Sequence, residues 1–387
     1  MPCERFEAIS KNLHFCDDTK ISDYQGQKGF FKIFSVIEHL NARFQSSYRL
    51  SQNISIDESL TLWKGRLGFK QYLPLKAAKF GIKSFDICES SSGFTWSFIV
   101  YTGKGMVFDN PIILPKSNMS TAIVLSLMEP LLDKGFTLLM DNWYNSPELS
   151  KLLKEKNTDT CGTLKLSRKN VPDEIKSQKL EKGEIVVKHS GDVMVMKWHD
   201  KRIVTLISTF HSHEMEQRLS KNGRQEMKPA LVYEYNKQMG GVDMRDQMLH
   251  AYQLERKRGL KWYVKIFKRL LNISVLNSFI IWKSNTQKID HISFRLDLIK
   301  MLFETHGPEV PRPVFGRPSI EPRPARLTER HFIYLIPPTG SKVNAQKRCC
   351  VCAKRGVRRD SRYWCPKCEA GLCLGACFED YHTKVNF

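Results

Sequence analysis

Seven of the eleven cysteines fall in the last 39 residues, in the run Cys349-x2-Cys352-x12-Cys365-x2-Cys368-x4-Cys373-x3-Cys377-x4-His382. A Cys-x2-Cys pair sets two thiolates on one tight turn, from which both reach a tetrahedral Zn²⁺ at about 2.3 Å. Seven donors exceed the four that one ion takes, so the run predicts two zinc ions. The eighth ligand stays open among Cys350, a residue from upstream and water. The preferred topology is interleaved: Cys349 and Cys352 share an ion with two later ligands, and Cys365 and Cys368 share the other. The opening MPCERFEAIS reads as no secretory leader, which favours metal-bound thiolates over a disulfide framework. Cys3, Cys16, Cys88 and Cys161 are scattered and read as ordinary buried thiols.

The chain carries a formal charge of +21 over 387 residues. Residues 247–330 hold 16 Lys+Arg against 7 Asp+Glu, and residues 331–387 hold 10 against 4, so most of the excess is in the last 141 residues. A localised positive surplus points to a polyanion, nucleic acid first, because each phosphate neutralised releases condensed counterions. No apolar stretch reaches 18 residues, and the most apolar helical segment is interrupted by Asn272, Ser274, Asn277 and Ser278, so no membrane partner is expected.

The apolar period divides the rest. Phe30, Phe31, Phe34, Ile37, Leu40 and Phe44 recur at helical spacing, whereas strands are predicted over 54–60, 85–88 and 94–101. A helix is predicted over 121–132 with Ser120 as N-cap and Gly135 as stop, then a buried strand over 136–140, then a helix from Ser146-Pro147 to about Lys156. Residues 165–228 are polar and Lys-rich but contain alternating runs over 193–198 and 202–208, which predicts a small β insertion. Helices are predicted over 231–248, broken at Gly240-Gly241, and over 261–283. Six prolines between Pro308 and Pro324 suit an extended basic linker.

Three aspartates stand in or at the ends of these elements: Asp57 within a strand, Asp141 closing another, and Asp243 just after the glycine pair. Carboxylates from separate elements are what a two-metal phosphoryl-transfer site requires, since two hard cations about 3.5–4 Å apart stabilise both attacking and leaving oxygens. Alone, each also fits a surface strand position, a helix cap or a charged helix position.

The local sequences resemble the piggyBac family of DNA transposases and the host genes derived from it. The resemblance runs through Ile54-Ser55-Ile56-Asp57-Glu58 with Lys64-Gly65-Arg66, then Tyr72-x-Pro74-x-Lys76-x2-Lys79-x-Gly81-Ile82-Lys83. It continues through Met140-Asp141-Asn142-Trp143-Tyr144-x-Ser146, Tyr235-Asn236-x3-Gly240-Gly241-Val242-Asp243-x2-Asp246-Gln247-Met248 and the cysteine run. It implies an α/β fold: an RNase H-like catalytic core with a β-rich insertion, a split helical DNA-binding part and a C-terminal cysteine-rich zinc module. The corresponding boundaries are 1–52 (helical remnant), 53–164 and 229–246 (core), 165–228 (insertion), 247–307 (second helical part), 308–345 (linker) and 346–387 (zinc module).

The resemblance implies that Asp57, Asp141 and Asp243 bind two Mg²⁺ or Mn²⁺ ions, with Asp246 as a neighbouring carboxylate, and that DNA is cleaved and joined at TTAA sites. Lys64, Arg66, Lys76, Lys79 and Lys83 are spaced through a loop that could hold phosphates without reading bases. Arg256, Lys257, Arg258, Lys261, Trp262 and Lys265 form a second expected DNA track, ahead of and along the later helix. The expected partners are double-stranded DNA (transposon ends and target), a second copy of the chain, and a DNA or chromatin ligand for the zinc module; the expected location is the nucleus. Family members carry a longer region before the first aspartate than the 56 residues here. That leaves two readings, an active DDD transposase and a domesticated DNA- or chromatin-binding protein without transposition.

Overall fold

The computed structural model describes residues 2–26, 28–74, 79–103, 105–108, 110–113, 117–219, 223, 225–255, 259, 261–286, 289–307 and 325–387. They form two units, Met1–Met301 and Leu302–Phe387. Lys76, Arg256, Lys257, Arg258 and the proline-bearing part of the expected linker, 308–324, lie outside the described residues.

The first unit begins with helices α1 (Cys3–Asn12) and α2 (Phe34–Ser47). Strands β1 (Asn53–Leu62), β2 (Gln71–Tyr72), β3 (Phe80–Glu89) and β4 (Thr95–Val100) follow, then helix α3 (Met119–Met128), strand β5 (Thr137–Met140), helix α4 (Pro147–Glu155) and strand β6 (Asp159–Thr163). The insertion holds a short helix α5 (Asp173–Ser177) and strands β7 (Ile185–Ser190), β8 (Val193–His199), β9 (Ile203–Ser208), β10 (Met215–Leu219) and β11 (Gln225–Pro229). Helices α6 (Ala230–Gln238), α7 (Gly241–Ala251), α8 (Trp262–Thr286) and α9 (His291–His306) close the series.

β3 pairs antiparallel with β1, and β4 and β2 pair with β3; β1 is then parallel to β5 and β5 to β6. This antiparallel meander running into parallel strands is the RNase H-like core. The insertion's strands continue the same sheet in the order β6-β9-β8-β7, and only β10 and β11 stand apart as a hairpin. The antiparallel pairing of β6 with β9 carries backbone hydrogen bonding across what the sequence reads as a boundary.

Local chemistry explains the starts of two helices. Asn118, not Ser120, caps α3, its side chain accepting from the Thr121 N–H at 2.9 Å, and the helix gives way to a 3-10 turn at Glu129–Leu131. Ser146 caps α4, with Pro147 in the first turn. The polar interruptions of α8 have a packing role. Asn277 donates to the Thr95 carbonyl at 2.9 Å and accepts the Thr95 N–H at 3.0 Å, and Asn41 of α2 does the same at Phe98. Two amides therefore satisfy the open side of β4, where an unpaired backbone would otherwise be left. Phe15, between α1 and α2, packs on Phe267 and Tyr263 of α8, so helical segments from both sides of the core meet. Among the described residues no helix is long and apolar enough to cross a membrane.

The second unit has its own small core around Cys349, Val351, Cys352, Cys365 and Leu372. Its elements are strands β12 (Tyr334–Leu335), β13 (Lys347–Arg348), β14 (Asp360–Ser361), β15 (Tyr363–Cys365) and β16 (Ala370–Gly371), with helices α10 (Cys350–Lys354) and α11 (Ala376–Thr383). The order β12-β15-β16 takes residues 334–335 out of the expected linker and into a sheet. Cys88 and Cys161 are buried as expected, but Cys3 is exposed and Cys16 is only half-buried.

Candidate metal centres and nucleic-acid interface

β1 and β5 pair Ile56 with Met140, so one step further along two parallel strands stand Asp57 and Asp141. In the antiparallel pair on the other side Asp57 lies opposite Asp86, and residues directly opposite share a face. Asp86 accepts from Arg245 of α7 at 2.5 Å, so α7 covers the face that Asp57 belongs to. Two further contacts seat this helix. A Cβ on Gly241 would stand 2.5 Å from Ser55 Oγ and 2.8 Å from the Glu89 carbonyl, and Ser59 donates to Asp246 at 2.9 Å. Ser55, Asp57 and Ser59 alternate along β1, which puts Asp57 between the two points where α7 touches the strand.

Asp243 sits in the first turn of α7 and is exposed. Among the described residues, the only groups of potential ligands closing to within 4.8 Å of one another are in the second unit. Asp57 and Asp141 share a region of the sheet and Asp243 stands on the helix that covers it, without forming so tight a cluster.

Asp141 is locked into its loop. Its carboxylate accepts the Trp143 N–H at 2.8 Å, and the fully buried Asn145 donates to the carbonyls of Met140 and Thr163, both at 2.9 Å. Gly162 makes room for this, since a Cβ there would stand 1.9 Å from the Met140 carbonyl. Burial raises the Asp141 carboxyl above its usual range, and Glu58 adds to the rise. Burial also lifts the Tyr144 hydroxyl well above the ordinary tyrosine value, with Glu58, Asp57, Asp141 and Asp86 adding to it, and burial brings Tyr235 to about 12. The Tyr144 hydroxyl and Asn145 Oδ1 are buried without a hydrogen-bond partner. Oxygen donors in a negative field fit a hard divalent cation. Glu58, Tyr144 and Tyr235 lie within the matched motifs, but nothing in the sequence alone gave them a part in this field.

Asp246, the expected neighbouring carboxylate, is engaged by side chains of three elements. Its carboxylate accepts from Arg269 of α8 at 2.7 Å and from Ser59, and Arg245 Nε stands 3.0 Å away, close enough to attract but not aligned for a hydrogen bond. Arg269 also pairs with the buried Glu255 at 3.4 Å. Asp246 therefore works as a strut between α7, β1 and α8.

The expected DNA tracks divide. Lys64, Arg66 and Lys79 are exposed. Lys83 lies over the stacked rings of Phe85 and Trp143, at 4.5 and 4.9 Å from their centroids. The α8 track is not a free basic face. Lys265 is buried and its ammonium pKa is lowered by that burial, Trp262 packs edge-on against Phe69, and Lys261 donates to the Lys11 carbonyl at 2.8 Å. The acidic residues around the α7–α8 connection draw Lys265 and Arg269 inward, which helical periodicity alone does not reveal.

In the second unit the donors form two sets, Cys349/Cys352/Cys373/Cys377 and His331/Cys365/Cys368/His382. The donors group in the interleaved way of the preferred topology, and the eighth potential donor is the upstream His331. Cys350 belongs to neither set. A tetrahedral ion at about 2.3 Å from each sulfur requires an S···S edge of about 3.8 Å. Cys352 stands 3.9 Å from Cys373 and 3.6 Å from Cys377, sulfur to sulfur. His331 Nδ1 is 3.4 Å from both Cys365 Sγ and Cys368 Sγ, and His382 Nε2 is 3.7 Å from Cys368 Sγ. His331 Nε2–H donates to the Ala325 carbonyl and His382 Nδ1–H to the Phe378 carbonyl, which fixes opposite tautomers with the remaining nitrogen facing the cysteines. Burial pushes the thiols of Cys368 and Cys373 up to about 11 and that of Cys377 to about 12. At Cys349 burial acts in the same direction but is outweighed by backbone hydrogen bonds from Cys352 and Cys373, bringing it to about 7.

A family model described as "Transposase IS4" matches residues 1–279, and one described as "DDE_Tnp_1-like zinc finger" matches residues 332–383. Human "PiggyBac transposable element-derived protein 3" is 26% identical over 396 residues, covering 98% of this chain and 63% of the relative. Human "PiggyBac transposable element-derived protein 2" is 24% identical over 320 residues, covering 79% of this chain and 52% of the relative. The chain thus spans less than two thirds of the length of these relatives. A solved piggyBac transposase synaptic complex with hairpin DNA shares the fold at a TM-score of 0.69, with 21% identity, covering 96% of this chain and 78% of that one. With the family model matched over most of its length, the chain belongs to the transposase family that model describes, among its piggyBac members.

Proposed function

We propose that the first unit carries out divalent-metal-dependent cleavage and joining of DNA strands at TTAA sites, with Asp57, Asp141 and Asp243 as the metal ligands. The observation that carries this reading is the register that sets Asp57 and Asp141 side by side on parallel strands, on the face that α7 covers. Two Mg²⁺ or Mn²⁺ ions bound there would activate the attacking oxygen and neutralise charge on the phosphate. The chain's own residues do the rest. Asn145 and the Trp143 N–H hold the Asp141 loop, and Gly241 and Asp246 seat the helix that bears Asp243. The exposed Lys64, Arg66 and Lys79 are suited to hold the phosphate backbone. The second unit holds two Zn²⁺ ions and presents a basic surface, including Lys354, Arg355, Arg358 and Arg359, to DNA or a chromatin protein. The protein acts as a homodimer in the nucleus.

The test is nicking and strand transfer on TTAA-flanked element ends with Mg²⁺ or Mn²⁺. Asp57→Ala, Asp141→Ala and Asp243→Ala are each expected to reduce both steps to background while the fold and zinc content stay intact. A second reading, a DNA- or chromatin-binding protein without transposition, draws on the exposure of Asp243 and on relatives whose names call them transposable element-derived. DNA binding by the folded, zinc-loaded chain with no metal-dependent cleavage would select it.

A further inference from the structure

The two sulfur-bearing sets differ in where their donors come from. Cys349, Cys352, Cys373 and Cys377 lie within the cysteine-rich run, whereas the other set takes three donors from that run and the fourth, His331, from a segment well ahead of it. That segment has little else to hold it. None of residues 325–336 belongs to the apolar cluster of the unit, and Phe332, Tyr334 and Leu335 are 63%, 56% and 57% exposed. β12 is two residues long, its side chains outward, and it is extended by one further bond from the Ile336 N–H to the Arg362 carbonyl at 2.8 Å. Its other anchors are Arg326, which lies over the rings of Tyr381 and Phe387 and donates to the carbonyls of Tyr381, Lys384 and Val385, an exposed ion pair of Glu329 with Lys367 at 3.2 Å, and the stack of the His331 ring on His382.

We propose that the His331 site is a metal-operated clasp: zinc bound by Cys365, Cys368 and His382 recruits His331 and thereby docks residues 325–336 onto the zinc module. The inference is independent of the catalytic reading and rests on the reading of the two donor sets as zinc sites. A two-residue ladder with exposed side chains is too short to persist without help, and ligand binding to a segment that is otherwise weakly held is folding of that segment. The hydrogen bond from His331 Nε2–H to Ala325 ties the ligand to the turn that carries Arg326, so ion, imidazole and guanidinium clasp act on one stretch of chain. The state of this site then decides whether the anchored part of the second unit starts near Ala325 or only at β13.

The experiment uses the full chain loaded with zinc, reading bound zinc by mass spectrometry and amide exchange at residues 332–336. Wild type is expected to hold two ions with a protected Ile336 amide. His331→Ala is expected to bind one ion tightly at the Cys349 set, to lose most of the second, and to release Ile336 while the Cys352–Val357 turn stays protected. His331→Cys, which restores a fourth donor, is expected to return both the second ion and the protection. Two tight ions with a protected segment in His331→Ala would overturn the clasp, as would loss of both ions together, because the site would then not be separable. Wild-type protein binding no zinc would instead sink the zinc reading beneath it.

Discussion

The carboxylate face of the sheet and the cysteine module meet the demands of metal binding in opposite ways. In the module the donors already stand at tetrahedral spacing, because segments this short have almost no other core. Donor geometry and fold are the same thing there. In the sheet the fold stands on a large apolar core of its own, and the carboxylates are carried on it: Asp57 and Asp141 by strand register, Asp243 by a helix seated through other residues. On the proposed reading, metal is therefore part of the structure in one unit and a guest in the other.

The largest test of that contrast is chelation. A strong zinc chelator is expected to unfold residues 325–387 and leave the sheet of the first unit intact, since structural zinc contributes about 10–16 kcal/mol to folding of such modules. Amide exchange on the full chain reads both units at once. Equal loss of protection in the two units, or none in the module, would end the comparison.

The next effect is confined to the first unit. Arg245 is fully buried, with its guanidinium against the equally buried Asp86. Arg245→Met leaves that carboxylate without its cation, and removing one partner of a buried pair costs about 3–5 kcal/mol. Urea unfolding followed by the tryptophans of the sheet is expected to show a loss of that size, with two zinc ions still bound. Gly241→Ala is a smaller and more local change. The added methyl meets Ser55 Oγ and the Glu89 carbonyl, and overpacking of this kind costs about 1–3 kcal/mol. Because it lifts the end of α7 that bears Asp243, metal-dependent cleavage is expected to fall further than stability does. A stability loss with full cleavage would show that the position of α7 at Gly241 does not matter to the chemistry.

The same contrast governs what could be read from the chain alone. The cysteine module was legible because its signal is local: spacing within a few residues fixes which donors share a turn, whereas which turns share an ion is set by how the module folds. His331 was legible only as an unnamed upstream residue, since nothing in its immediate sequence distinguishes it from a surface histidine. The strand bearing Asp57 was legible from alternation and the one ending at Asp141 from a short buried apolar run, but their adjacency is a property of pairing between distant segments. The basic stripe of α8 misled for a related reason. Periodicity gives the face of a helix but not the charges opposite it, and here Glu255 and Asp246 draw Lys265 and Arg269 inward. The continuation of the sheet through β9, β8 and β7 was missed because alternating runs read alike in a separate insertion and in an extension of the core.

The smallest expected effect is one of pH, at the start of α9. His291 stacks on Phe279 at 4.7 Å and meets the edge of Tyr252 at 4.7 Å, and its Nε2 accepts from Arg295 Nε at 2.9 Å. Arg295 in turn donates to Asn272 of α8 at 2.6 Å, so this one imidazole joins the helix to its support. Burial, aided by the Arg295 charge and opposed by Asp290, brings the His291 pKa from 6.5 down to about 4. The folded state thus binds the proton more weakly than the unfolded chain does. Stability from this contact is complete above about pH 6.5 and is lost as the pH falls towards 4. Amide exchange at 291–295 should rise over that interval while the sheet stays protected. In His291→Phe, which keeps the stack but cannot take up a proton, the rise should disappear, and a rise that persists would assign the pH dependence to another group.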